Sequence, residues 1–435
     1  MNARPAGLRR GDLLPRMVVP PPGPRARALS ARLAAAEAPG INTLAGGRPS
    51  LLWEEALGAN VLDVDGNRYL DLTSGFGVAA VGHRHPRVVA AVRAQSGRLL
   101  HGLGDVHAHA LRVELAERLA GLAPVDEPRV FFAVSGAEAV EIALKTAVAA
   151  TGRAGVVAFE PSYHGVTLGA LAATSRAEFR RPFLAHLHPH VVRLPFGCPP
   201  AHVGAALAGG GIACLLVEPV VGREGVLPPP PGWLAEVAAL CRRHRVPLAD
   251  DEVFTGLGRT GALWAAAAEG VRPDLLCCGK ALGGGMPIAA VVGRSELMEA
   301  WETPGEALHT STFVGHPLAC AAALATLDVV AEERLAERAA ILGETLLQPR
   351  VAGWGKRFPA VAAVRGRGLL WGIELASREA AGAFVEGARR RGVLLLAGGP
   401  EGRVAQLVPP LTIAERQLSR ALDIVEAALA ELRAT

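Results

Sequence analysis

PDLLCCGKALGGGMP, residues 273–287, decides the reading of this chain. The apolar run Leu275-Leu276-Cys277-Cys278 leads to a single lysine, Lys280, and then to Gly283-Gly284-Gly285. The apolar run has the composition of a buried strand, and the glycines mark a turn that no side chain crowds. Lys280 therefore falls between a strand end and a turn. Lysine occurs three times in the whole sequence, at Lys145, Lys280 and Lys356; the rest of the Lys+Arg total is arginine. Arginine does not readily lose its proton and so cannot form an imine with an aldehyde, whereas a desolvated lysine can. Lys280 reads as a Schiff-base nucleophile, against the plainer alternative of a solvated loop lysine.

Outward from this stretch, helices and short apolar strands alternate from residue 111 onward. RVELAERLAGL (112–122) is amphipathic, RVFFAV (129–134) reads as a strand and AEAVEIALKTAVAA (137–150) as a helix. GVVAF (155–159), CLLVEP (214–219) and VPLADD (246–251) read as further buried strands, with a helix at WLAEVAALCRRH (233–244) and another strand at AAVVG (289–293). This rhythm predicts an α/β sheet, largely parallel, with helices on both faces and ligands beyond the carboxyl ends of its strands. After a loop at 303–317 the order changes. A long helix starts at PLACAAALATLDVVAEE, a strand pair follows at 361–375, then a helix, a strand at 404–410 and a final amphipathic helix. Thr412, with Glu415 three positions on, is the expected N-cap of that last helix. Near the start, 25–38 is helical and 60–73 is a hairpin about Asp65-Gly66-Asn67. The expected division is an arm at 1–24, a large domain at 74–317, and a smaller α+β domain from 25–73 and 318–435. The arm, basic and then proline-rich, reads as mobile and placed to pack on a partner subunit.

Half of the 435 residues are hydrophobic and a fifth are charged, so the chain is globular with a sizeable core. A net charge of +4, with no basic run interleaved with aromatics, argues against a nucleic-acid partner. No apolar run reaches the ~18 residues of a membrane span, and the start lacks the apolar core of a signal peptide. The six cysteines show no C-x-x-C spacing and read as buried, reduced thiols of a cytoplasmic protein. Five of the 13 histidines lie between His83 and His109, but no cysteine or acidic trio nearby completes a metal site, so no metal is expected.

Four further stretches belong with Lys280. Ser135-Gly136-Ala137 joins a strand to a helix, where first-turn amides and a hydroxyl would hold a phosphate. Tyr163-His164-Gly165 follows a strand, and its aromatic could stack on a planar ring or simply wedge into the core. Asp250-Asp251-Glu252 ends a buried strand, a costly place for carboxylates unless one meets a cation. The expected division of labour is one functional acid with two neighbours that are solvated or paired with arginine. His309-Thr310-Ser311-Thr312-Phe313 offers hydroxyls to a phosphate, or a cap to the next helix. Lysine, phosphate cradle, aromatic and buried aspartate are together what pyridoxal phosphate requires.

On these residues the chain resembles the class III pyridoxal-phosphate aminotransferases, the ornithine, acetylornithine and 4-aminobutyrate group. The resemblance runs from Asp63 to Pro410 through DVDGNRYLDLTSG, VGHRHP, SGAEAVEIALK, SYHG, VEPVVG, DDEVFTGLGRTG, GKALGGGMPIAAVVG, HTSTFVGHPLACAAA, RGRGLLWGIEL and VPPLTI. It implies the aspartate-aminotransferase fold (fold type I): a large domain with a mostly parallel seven-stranded sheet, and a smaller α+β domain. It also implies that Lys280 forms the aldimine and moves the proton, with Asp251 on the ring nitrogen. Ser135, Gly136 and Ala137 would bind the phosphate, Tyr163 and Val253 would cover the ring faces, and His164 and Glu218 would stand close by. Ser311 and Thr312 would reach the phosphate of a neighbouring subunit, making a homodimer with shared sites. Phe76 would wall the substrate entrance.

Four positions depart from the family pattern. Val166 and Gln406 stand where relatives commonly carry substrate-reading arginines, Arg223 stands where a masking glutamate is usual, and Phe254 replaces a ring-facing glutamine. The expectation is that the carboxylate-reading charge has moved from 406 to Arg223, against a plain surface role for that arginine. The reaction implied is transfer of an amino group from a primary amine, an ω-amino acid or diamine, to a 2-oxo acid. An amino-acid racemase or epimerase, aminomutase or decarboxylase would use the same lysine and aspartate. A nicotinamide dehydrogenase, suggested by G-x-G-x-x-G at Gly256–Gly261, lacks the acidic residue ~20 positions on. A non-catalytic binding module would have no use for both Lys280 and Asp251.

Overall fold

Apolar strands that cannot face water on either side must be covered by helices, and that requirement shapes the computed structural model, which describes residues 7–41 and 49–432. At the N-terminus, β1 (Trp53–Leu57), β2 (Asn60–Asp63) and β3 (Arg68–Asp71) form an antiparallel ladder. The hairpin turn falls at Asp65-Gly66-Asn67 as expected. Asp63 Oδ1 accepts the amides of Asp65 and Asn67 at 2.9 and 2.8 Å, and Gly66 takes a φ of 91° that a side chain would resist.

The large sheet holds β4 (Pro128–Ala133), β5 (Gly155–Glu160), β6 (Val191–Pro195), β7 (Ile212–Val217), β8 (Leu248–Asp251), β9 (Leu275–Cys278) and β10 (Ala289–Arg294). Its order is β4-β10-β9-β8-β7-β5-β6, with β10 alone antiparallel to its neighbours. β7, β8 and β9 are buried along their whole length, the signature of central strands covered on both faces. The carboxyl ends of β4, β5, β7, β8 and β9 converge on one edge, which brings Ser135, Tyr163, Glu218, Asp251 and Lys280 together.

The C-terminal third contributes β11 (Val361–Arg367), β12 (Leu370–Leu375), β13 (Val393–Leu394), β14 (Leu396–Gly398) and β15 (Val404–Leu407). β13 pairs in parallel with β3, so the N-terminal ladder and the C-terminal segment share one sheet. β11, β12, β15 and β14 form a second sheet, and Arg365, Gly372 and Gln406 from three of its strands meet the segment 222–226 that follows β7.

Two expectations change here. The last helix runs Glu415–Ala430 with Ala414 as N-cap, not Thr412. Leu411 N–H is held by the Ala80 carbonyl at 2.7 Å and Thr412 abuts Gly82, while Ile413 N–H closes a turn onto the Pro410 carbonyl at 3.0 Å, so the helix begins only after Ala414, whose N–H is accepted by Gln417. The arm at 1–24 is not free over its described part. Arg16 and Arg68 exchange backbone hydrogen bonds, and Asn67 Oδ1 accepts the amides of Val18 and Val19. Residues 1–6 of the arm lie outside the described residues.

Candidate active site

Lys280 leaves the end of β9 with a φ of 39°, a left-handed backbone that non-glycine residues rarely adopt and that marks a functional constraint. It opens into a cavity of about 280 Å³ lined by Thr73, Phe76, Tyr163, Arg223, Phe254, Leu396, Gln406 and Val408. Burial lowers the ammonium's pKa to about 8, against the pull of the Asp251 and Glu218 charges. An appreciable fraction of the amine is thus free of its proton near neutrality, the form that attacks a carbonyl carbon. The Phe254 ring lies 4.1 Å from Nζ.

Asp251 is buried at the end of β8. Its Oδ2 is 2.8 Å from His164 Nδ1, and its Oδ1 accepts the Val253 amide at 3.1 Å. His164, itself buried, thus orients the aspartate. Glu218 takes the amides of Tyr163 and Gly222, both at 2.9 Å, and burial raises its pKa to about 7. One carboxyl therefore ties the aromatic at the end of β5 to the segment that follows β7.

The helix Gly136–Thr151 starts against this edge, capped by Ser135, whose hydroxyl oxygen accepts the Glu138 amide at 3.2 Å. The hydroxyl proton and the first-turn amides of Gly136 and Ala137 have no acceptor within the helix. A side chain at 136 would meet Val253 Cγ1 at 2.7 Å, so Gly136 is what lets the valine close over the helix start. A chargeable amine, a carboxylate anchored for a ring nitrogen and an anion-binding helix start on one sheet edge fit pyridoxal phosphate.

Other predicted residues fall differently. Ser311 and Thr312 lie on a loop beside Gly104, outside the lining of their own chain's cavity. Val166 is exposed and also outside it. Phe76 lines the mouth with a φ of 62°, within the run Ser74–Gly77 whose φ values are all positive. Gln406 lines the cavity, but its Nε2 donates to the carbonyls of Gly222 and Arg223 at 3.0 and 3.1 Å. Arg223 stacks on Tyr163, its Cζ 4.3 Å from the ring centroid and 5.5 Å from that of Phe179. Sequence reasoning missed Leu396, Val408 and Thr73, which the small sheet and the β3 exit carry into the cavity. Gly258 and Gly261 of the G-x-G-x-x-G stretch pack against Ala336 and Ala340 of a helix, not against a ligand.

The neighbours of Asp251 are not solvated or paired with arginine, as expected above. Asp250 and Glu252 are both buried. Glu252 accepts the amides of Ala265 and Ala266 at 2.9 Å or less and the Thr255 hydroxyl, so it is spent on a helix start. Neither Asp250 oxygen meets an N–H or O–H donor. Burial, with the neighbouring charges of Glu252 and Asp251, pushes the Asp250 carboxyl well above the usual carboxylate range. Burial likewise lifts Glu252 from 4.5 to about 7. Carboxyls raised in the folded state bind more protons there than in the unfolded chain, so their contribution is full below pH 4.5 and is lost as pH rises through about 7. The melting temperature of the cofactor-free protein should accordingly fall over that window, measured by calorimetry. Asp250→Asn, which keeps the shape but cannot ionise, should flatten the slope; an unchanged slope would remove the pair as its cause.

The seven-stranded sheet with its one reversed strand, together with this site, defines a pyridoxal-phosphate enzyme of fold type I. A family model described as aminotransferase class-III matches residues 44–429. An acetylornithine aminotransferase of Methanothermobacter thermautotrophicus is 41% identical over 387 residues, 88% of this chain and 95% of that protein. A putrescine aminotransferase of Pectobacterium atrosepticum is 39% identical, covering 90% of this chain and 85% of that one. Among solved structures, an amine transaminase from an uncultivated Pseudomonas species in its cofactor-bound form superposes with a TM-score of 0.83 at 31% identity, over 91% of this chain and 98% of that one. The chain belongs to the class III aminotransferases. It transfers an amino group from an amine to a 2-oxo acid with pyridoxal phosphate.

Proposed function

We propose that the donor carries its primary amine at the end of a short chain, as an ω-amino acid or a diamine. The observation that carries this is the distribution of charge in the cavity: Arg223 is its guanidinium, held on Tyr163, and position 406 is a neutral glutamine. An amine approaching Lys280 meets Phe254, Leu396 and Val408 around it, and a carboxylate is drawn to Arg223. No ion pair to Arg223 is present among the described residues. Relatives named for acetylornithine, putrescine, 4-aminobutyrate and 5-aminovalerate all take compounds with a primary amine at a chain end.

When bound, pyridoxal phosphate supplies a ring that withdraws the electrons of the C–H bond being broken. Lys280 would hold the cofactor at its aldehyde carbon, and its amine would take the proton from the donor carbon and return it. Asp251, oriented by His164, would hold a proton on the ring nitrogen. Ser135, Gly136 and Ala137 would hold the phosphate, and Tyr163 and Val253 would confine the ring. Glu218 fixes Tyr163 and the 222–223 segment. Ser311 and Thr312 serve the site of a second copy, consistent with the exposed Leu100, Leu103, Val106 and Phe313 close to that loop, so the working form is a homodimer. We place the small domain at 25–73 with 318–435 around a large domain at 74–317. A cytoplasmic setting suits six buried, unpaired thiols; no helix among the described residues is long and apolar enough to cross a membrane.

A donor screen against pyruvate and 2-oxoglutarate tests the donor class. Terminal amines should be turned over, and α-amino acids lacking one, apart from the amino acid corresponding to the acceptor, should not. Arg223→Ala should raise KM for carboxylate substrates about 10- to 100-fold, the scale of a partly desolvated ion pair, with kcat little changed. An unchanged KM across donors and acceptors would refute the role given to Arg223.

A further inference from the structure

Gln406 sits on β15, opposite Gly372 of β12 and Leu396 of β14, where the small sheet meets the cavity. Its amide nitrogen has two hydrogens, and both have acceptors: the Gly222 carbonyl at 3.0 Å and the Arg223 carbonyl at 3.1 Å. Those two residues are held from other sides as well. The Gly222 amide is bound by Glu218 at 2.9 Å, and the Arg223 carbonyl also accepts the Gly399 amide at 3.1 Å. Glu224, fully buried, pairs with Arg176 at 2.8 Å. A side chain at 222 would strike the Phe254 ring at 2.2 Å, so the backbone there lies flat on that ring. What leaves this clamped segment toward the cavity is the Arg223 side chain, laid over Tyr163 without a carboxylate partner.

We infer that Gln406 is a positioning residue whose amide fixes the Gly222–Arg223 backbone, so that Arg223 is presented to a carboxylate remote from the reacting amine. The inference rests on the reading of Arg223 proposed above and deepens it. A glutamine whose donors are spent on the main chain cannot neutralise a carboxylate near the reacting carbon. It selects donors whose carboxylate lies at the far end, through a guanidinium it does not itself touch. Loosening the clamp would leave Arg223 chemically intact and spread it over more orientations, so the loss should appear in binding of the carboxylate.

The test compares 4-aminobutanoate with 1,4-diaminobutane, equal in chain length but with a carboxylate or an amine at the far end. Single-turnover half-reactions are followed by cofactor absorbance without an acceptor. Binding of glutarate, which cannot react, is measured separately by calorimetry. Gln406→Met should lower the carboxylate-over-amine selectivity about tenfold and weaken glutarate similarly. Gln406→Asn, polar but too short to span both carbonyls, should behave like Gln406→Met, with thermal melts checking that both variants fold. In an Arg223→Ala background, Gln406→Met should change selectivity less than about twofold, because both act through one contact. Additive effects, or an asparagine variant that retains full selectivity, would overturn the inference. A wild-type enzyme that discharges the diamine as well as the amino acid would overturn the Arg223 reading and this inference with it. Failure of both donors in the wild type would overturn the proposed donor class itself.

Discussion

Lys280→Ala should lower kcat by at least ~10⁴-fold while the protein remains folded. The expectation follows from what else the cavity contains. Arg223 offers a guanidinium and no amine, and the Phe254, Leu396 and Val408 side chains bear no ionisable group. Tyr163 carries the Arg223 guanidinium on its face. No lining side chain other than Lys280 combines a primary amine with a pKa brought down to about 8. In the roles proposed for Lys280, removing it would take away both the attachment to the aldehyde and the group that moves the proton, two functions of one nitrogen. Such losses do not divide into separate terms, so Lys280→Arg, which restores charge without a removable proton, should be equally inactive. Stopped-flow absorbance with an amine donor would check this, with circular dichroism to verify the fold. A variant keeping a hundredth of the activity would place the proton on another residue.

Replacing Asp251 should cost less, about 10³-fold for Asp251→Ala. In its proposed role the carboxylate would act through charge, holding a proton on a ring nitrogen that otherwise loses it, and would form no bond with the substrate. His164 supports it at 2.8 Å, so His164→Ala should cost far less than loss of the carboxylate, through misorientation alone. Asp251→Asn separates the two contributions, keeping the shape and a hydrogen bond to the imidazole while removing the charge. If Asp251→Asn retained most of the activity, geometry rather than charge would be the aspartate's contribution. The readout is the single-turnover rate together with the cofactor's dissociation constant, because the same charge also holds the ring.

Much of this site was legible because its chemistry sits at strand ends, and strand ends can be read in one dimension. Lys280 between an apolar run and three glycines, Asp251 closing VPLADD and Ser135 before a helix each carry a local signal. The residues that escaped lack one. Leu396 and Val408 reach the cavity only because β13 joins β3 and β15 lies beside β12, pairings between segments far apart in the chain. The fate of Asp250 and Glu252 was also hidden. Three adjacent acids read as partly solvated, yet Glu252 is spent on the amides of Ala265 and Ala266, and Asp250 is buried with its carboxyl pushed well above the usual range. Gln406 shows the same limit at the site itself. Its neutrality could be read from the sequence, but its grip on two carbonyls nearly two hundred positions earlier could not.

The most direct test of the account is covalent capture at Lys280. The protein is incubated with pyridoxal phosphate, reduced with borohydride and digested, and its peptides are mapped by mass spectrometry. The account predicts one dominant adduct, on the peptide carrying Lys280, with Lys145 and Lys356 unmodified at equimolar cofactor. An unmodified Lys280 peptide, or labelling spread evenly over the three lysines, would contradict it.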